Sequence, residues 1–180
     1  MLNLQLAKKY SKAIFEIAQD EHKLEEYGKE LSDVSSVVFA QQDLRGFVTN
    51  PQIQPKAKKE IFTKLFAGEL SPDVFNFMML LIDKRRIALL EAIEADYERL
   101  SNRARGIVIA DIVTARPMSE AQSAKLKAKL ETVTGKSVRV RPHIDESILG
   151  GVIVKIGDKR IDGSVTGRMQ THNAELLANK

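Results

Sequence analysis

Apolar residues recur at helical spacing from the start of the chain. Leu4, Ala7, Tyr10, Ile14, Ile17 and Ala18 form one stripe, and Leu24, Tyr27, Leu31, Val34 and Val38 form a second. A shorter segment from Gln42 carries Leu44, Phe47 and Val48, and it must stop near Asn50 because Pro51 disfavours the α conformation in the residue before it. Pro55 can open a fourth helix with Ile61, Phe62, Leu65 and Phe66 on its apolar side and Gly68 beyond its end. Ser71, Pro72 and Asp73 read as N-cap, first helical position and dipole partner of a fifth, which Lys84, Arg85 and Arg86 close with the opposite charge. Its run of Phe75, Phe77, Met78, Met79, Leu80, Leu81 and Ile82 is apolar all round, which suits the central helix of a bundle. From Ile87 to about Arg103, Leu89, Leu90, Ile93, Tyr97 and Leu100 face inward while Glu91, Glu94 and Glu98 face out. The pattern predicts an all-α bundle of six helices.

Near Arg105 the period changes. RGIVIADIVTARP is rich in Val and Ile over strand length, and Pro117 ends it. An amphipathic helix follows, with Ser119 and Gln122 spaced as a capping box and Gly135 suited to the left-handed position after its end. SVRVRPHI alternates Val138 and Val140 with Arg139 and Arg141, as a half-exposed strand does. Val152 to Ile156 reads as a strand, Gly157-Asp158 as a hairpin turn, and Lys159 to Asp162 as the return strand. A terminal helix is expected from about Ser164 to Asn179, with Val165, Met169, Leu176 and Leu177 along one side. The expected fold is therefore α+β with two domains: a helical bundle over 1–105, and a smaller mixed α/β domain with a β-hairpin and a terminal helix over 106–180.

Composition narrows the chemistry. With 180 residues, 43% hydrophobic and 29% charged, the chain can bury a real core. No apolar run approaches bilayer length, and the charged amphipathic start lacks the features of a signal peptide, so the mature protein is expected to begin near Met1. Without cysteine, a metal site would depend on His22, His143 and His172, which share no ligand spacing. The net charge of +4 is unevenly placed: residues 1–105 hold 16 Lys+Arg and 16 Asp+Glu, whereas residues 106–180 hold 12 and 8. A solvated surface or an acidic partner both account for that excess.

Five of the ten glycines lie in DESILGGVIVKIGDKRIDGSVTGR, Asp145 to Arg168. A phosphate loop would need its glycines followed by Lys and Ser or Thr at a helix start, but a strand follows Gly150-Gly151. Glycines at a strand start where a close neighbour forbids side chains account for the pair better. Ser147 and Ser164 have no suitable base nearby and read as turn and helix-cap residues, while Glu21, Glu25, Glu26 and Glu30 read as a solvated helix face. Asp83 to Arg86 is a helix-terminal charge cluster. From Gly106 on there is no Phe, Tyr or Trp to interleave with the basic residues, as nucleic-acid binding would ask. A small basic adaptor associated with nucleic acid is kept only as the alternative. No catalytic, cofactor-binding or metal residue is assigned, and no cofactor is expected.

The stretch IDESILGGVIVKIGDKRIDGSVTGRMQ resembles the C-terminal signature of the delta subunit of F-type ATP synthases, the family of the mitochondrial oligomycin-sensitivity-conferring protein. Gly150, Gly151, Gly157, Asp162 and Gly163 are its structural signature here. The opening AKKYSKAIFEIAQD resembles the family's first helix, with Ala7, Tyr10, Ser11, Ala13 and Phe15 matching the pattern. The resemblance spans nearly the whole chain. It implies a stator component without catalysis of its own, one copy per complex, that links the catalytic alpha/beta headpiece to the b subunits of the peripheral stalk and so resists rotational torque. It further implies that the bundle binds the N-terminal helices of the alpha subunits in a groove between its first and fifth helices. Mapped onto this chain, that groove draws on Tyr10, Ala13, Ile14, Ile17, Phe75, Met78 and Met79. The second domain would hold the b subunits through Val165, Arg168, Met169, Leu176 and Leu177, with Arg139, Arg141 and Lys155 available to acidic neighbours. The protein would sit at the cytoplasmic side of an energy-transducing membrane, in a bacterium the inner membrane, without inserting into it and without nucleic acid.

Overall fold

The computed structural model describes residues 2–167 and 169. The chain divides into two compact units, 1–102 and 103–180.

In the first unit six α-helices follow one another: α1 (Leu2–Asp20), α2 (Leu24–Ala40), α3 (Gln42–Thr49), α4 (Pro55–Phe66), α5 (Pro72–Asp83) and α6 (Leu90–Ala104), the last entered through a 3-10 turn at Ile87–Leu89. Their apolar stripes meet in one core. Tyr27, Leu31, Phe62, Met78, Leu81, Ile82, Leu90, Ile93 and Tyr97 are fully buried or nearly so, each contributing about 1.5 to 3 kcal/mol by leaving water. Ion pairs such as Lys12 with Glu16 lie on the surface, where about 0 to 1 kcal/mol is usual. Burial therefore decides the fold.

Polar groups set the register of that core. Gly28 lets α2 approach α6 closely, since a Cβ there would stand 3.2 Å from the Tyr97 ring. The Tyr97 hydroxyl donates to the Leu24 carbonyl at 3.0 Å. Lys58 is buried, and its ammonium donates to the carbonyls of Val48 at 2.6 Å and Asn50 at 2.7 Å. It thereby satisfies carbonyls at the end of α3 that have no intrahelical donor, although burial pulls its pKa down. Ser71 occupies the N-cap position of α5 but makes no capping bond. Its hydroxyl donates instead to Glu30 at 2.7 Å, and its amide donates to the same carboxylate at 3.0 Å. Glu30 is thus a tie between α2 and α5 rather than part of a solvated face.

In the second unit, β1 (Ile107–Thr114), α7 (Glu120–Thr134), β2 (Ser137–Ile144), β3 (Val152–Ile156) and β4 (Lys159–Asp162) follow in order. The sheet runs β2-β1-β3-β4. β1 and β2 are parallel, joined by the crossover through α7, and the other pairings are antiparallel. Both halves of the capping box at Ser119 and Gln122 are formed, and Gly135 ends α7 at φ +65°. Leu126 and Leu130 of α7 pack with Ala110, Ile112, Val138 and Val154 on one face of the sheet. Because side chains alternate along a strand, the other face carries Asp111, Arg139, Arg141, Lys155 and Arg160. Asp111 is the register partner of both Arg141 and Lys155, and Lys155 is that of Arg160.

Candidate functional site

Two exposed apolar surfaces stand out, one in each unit. In the first, α1 buries Ala7, Ser11, Ile14 and Ala18. Leu6, Tyr10, Ala13 and Ile17, spaced four, three and four apart, form a ridge along the flank of that stripe. The half-buried Tyr10 ring meets Phe77 of α5 edge-on at 6.2 Å. Arg86 reaches across with its guanidinium 5.6 Å from the same ring and donates to the Tyr10 hydroxyl at 2.7 Å. At the other end of the helix pair, the buried Tyr27 hydroxyl lies 2.6 Å from Glu21, just past α1, and 3.1 Å from Asp73, in the first turn of α5. α1 and α5 are therefore antiparallel neighbours, pinned at both ends.

The chemistry of that pin is specific. Burial first, and the two facing carboxylates next, push the Tyr27 phenol far up, so it stays a neutral donor. Its hydrogen bond is the leading reason that the Glu21 carboxyl is held below the usual carboxylate range.

This geometry sorts the candidates for the first groove. Tyr10, Ala13 and Ile17 lie on the α1 flank, Ile17 being 43% exposed. Ile14 and Met78 are fully buried in the core of the bundle, away from this open flank. On α5 the edge next to Tyr10 is defined by Phe77, and Leu80, three residues on and 43% exposed, continues it. Phe75 and Met79 are each turned about 160° from Phe77 around the helix, so the structure places them on the flank away from α1. Leu80 is the exposed residue of this edge that the sequence did not single out: in a helix apolar all round, only the packing of α1 tells which edge is open.

In the second unit a groove of about 640 Å³ lies between the end of β1, the start of α7 and the turn before β3, lined by Thr114, Arg116, Met118, Leu126, Leu149 and Gly151 among others. The glycine-rich signature builds one wall of it. Gly163 N donates to Val152 O at 2.9 Å and Val165 N to Gly150 O at 3.0 Å, so residues 163–165 zip back along the start of β3. Gly151 has φ +85°, and a Cβ there would stand 2.4 Å from the Gly163 carbonyl oxygen. No side chain fits without moving backbone. Gly150 is different: its Cβ would meet Val165 at an ordinary 3.5 Å. The close approach expected of the pair thus belongs to Gly151.

Asp162 caps the turn after β4. One of its oxygens accepts from the amide of Ser164 at 3.0 Å and from its hydroxyl at 2.6 Å, and the other accepts from Arg160 at 3.0 Å. Ser164 Oγ in turn accepts from Gly167 N at 3.0 Å. The Ser164 hydroxyl and amide are the main causes holding the Asp162 carboxyl below its ordinary value. The amides of Gly163, Ser164, Val165 and Gly167 are all engaged within the protein, so the signature is a structural knot and not an anion cradle. Gly157 turns the hairpin at φ +55°.

Val165 and Met169 are exposed on helical residues one turn apart. Arg168, Leu176 and Leu177 lie outside the described residues. Arg139, Arg141 and Lys155 are exposed on the sheet face away from α7. Among the described residues no group of three or more His, Cys, Asp or Glu could hold a metal ion, and no helix is long and apolar enough to cross a membrane.

Fold and surface together define a two-part α+β protein, a helical bundle followed by a small mixed sheet, each part with large apolar side chains exposed on its surface. The family model for the ATP synthase delta (OSCP) subunit matches residues 6–176, and the chain belongs to that family. It is 35% identical to the ATP synthase subunit delta of Desulforamulus reducens over 99% of this chain and 98% of that one. It is 34% identical to the subunit delta of Bacillus cytotoxicus over the whole of both chains, and 38% identical to that of Desulfitobacterium hafniense over 94% and 95%. A chain of the Toxoplasma gondii mitochondrial ATP synthase hexamer aligns with TM-score 0.74 and 22% identity, covering 96% of this chain and 97% of that one, which establishes the fold.

Proposed function

We propose that this protein is the non-catalytic stator subunit that joins the catalytic headpiece of an F-type ATP synthase to its peripheral stalk. The bundle, 1–105, receives the N-terminal helices of the alpha subunits, and the mixed domain, 106–180, holds the b subunits. One copy sits in each complex, peripheral to the energy-transducing membrane on its cytoplasmic side and without cofactor or nucleic acid. The observation that carries this reading is the antiparallel α1/α5 edge, where Ala13 and Ile17 on one helix and Leu80 on the other stand exposed beside the Tyr10–Phe77 contact. An apolar floor with a small residue on one wall suits a helix lying in a groove. Desolvated anchors of this kind give the slow dissociation that a joint under torque needs.

The test is a titration of the bundle face with an alpha N-terminal peptide. Ala13→Trp should leave the helical signal intact and abolish binding. Leu80→Asp should weaken binding by about 2 kcal/mol or more, while Met79→Asp, on the flank away from α1, should cost far less affinity. Equal losses for Leu80→Asp and Met79→Asp, or wild-type affinity in Ala13→Trp, would put the contact elsewhere.

A further inference from the structure

Leu149 is the feature of the second unit that its packing does not explain. It has φ +59° and ψ −31°, a left-handed conformation that costs a branched side chain energy and is ordinarily left to glycine. Gly150 N closes onto Ile148 O at 2.6 Å across it, making a γ-turn of the rare positive-φ kind. The strain secures no burial, for Leu149 is 75% exposed, the most open of the large apolar side chains among the described residues. A strained backbone that holds an apolar side chain out in water points to a contact made in the complex.

Its neighbours extend the surface. Val165, 46% exposed, bonds back to Gly150 through its amide, and Met169, 60% exposed, follows one helical turn later. Leu149 also lines the groove, together with Met118 and Leu126. Among the described residues, Arg116 is the one ionisable residue lining that groove, and no carboxylate lines it; the 12 Lys+Arg against 8 Asp+Glu of residues 106–180 give the domain the same sign.

We propose that Leu149 is the apolar anchor of the stalk-binding surface, entering the apolar stripe of an amphipathic helix whose flanking carboxylates meet Arg116. The proposal rests on the stator reading above, and it adds the anchor, the strained turn that presents it, and the chemistry of the partner helix. The geometry makes an unusual demand: removing the side chain relieves the turn while it disarms the surface. Stability and binding should therefore move independently.

The experiment uses the full chain, with the extramembrane part of the stalk b subunits of the same ATP synthase as probe. Leu149→Gly tolerates the positive φ, and its urea midpoint should equal or exceed that of the wild type; Leu149→Asn, with a polar side chain of similar size, should keep a midpoint close to the wild type's. Their affinity for the b segment should fall about thirtyfold, the effect expected of a central anchor. Leu149→Met should retain most of the binding, and Arg116→Gln should weaken it at low salt and much less at high salt. If the wild-type chain does not bind the b segment, the stator reading itself fails. If it binds and the glycine and asparagine variants bind equally well, only the anchor is overturned. An Arg116→Gln variant without effect at any salt would overturn the acidic partner. Tighter binding by Leu149→Gly would show the surface covered by the chain's own end, and self-association abolished by that change would assign it to a second copy; either result overturns the proposal.

Discussion

Asp162 stands near the surface, yet it organises the end of the described chain through the Ser164 amide and hydroxyl and through Arg160. Its folded pKa lies below the ordinary aspartate value of 3.8. The stabilisation it supplies is therefore fully present above that value and is lost as pH falls through the lower, folded one. The protection factors of the Ser164 and Gly167 amides, each taken against the intrinsic exchange rate at the same pH, should fall as pH drops below about 3.8, and Asp162→Asn should flatten that dependence. Retained protection in acid would remove the carboxylate from this role. Legibility at this scale was uneven. Ser164 as a helix cap and Gly135 as a left-handed terminator follow from local chemistry, which acts within a few residues. The Glu30–Ser71 tie and the Tyr27 phenol between Glu21 and Asp73 join residues 41, 6 and 46 positions apart, and no local pattern encodes them.

Helices and strands were the most legible part of this molecule, because each carries its own punctuation. Pro51 and Pro55 bracket the α3–α4 connection, the Ser119 and Gln122 box starts α7, and Val138 and Val140 alternate with arginines on β2. The uniformly apolar α5 has no such asymmetry, so Phe75 and Met79 could not be told from Leu80 until Phe77 was seen against Tyr10. Likewise, the role of a glycine depends on what crosses it. Gly151→Ala should destabilise the second unit by about 3 kcal/mol, from the positive φ and the collision with the Gly163 carbonyl together. Gly150→Ala should change it by less than about 1 kcal/mol. Thermal unfolding followed through the sheet signal checks both, and equal effects would mean that Gly151 does not lie against Gly163 as described.

Across the whole molecule, the two units divide the surface chemistry: the bundle balances its charges, whereas residues 106–180 carry the entire excess of cations. On the proposed function, that division suits a joint whose two parts meet different partners. The hydrophobic period and its change near Arg105 already set the bundle-then-sheet order, while the open edges depend on packing that sequence leaves unspecified. A stator adds no catalytic step; it changes what rotation accomplishes. The direct measurement is ATP synthesis driven by a proton gradient in membranes stripped of headpiece and of this subunit, then given back headpiece with or without the chain. With the chain, synthesis should return while hydrolysis by the free headpiece stays unchanged, and a chain carrying Ala13→Trp should fail to restore it. Full synthesis without the chain, or equal restoration by the Ala13→Trp variant, would contradict the account.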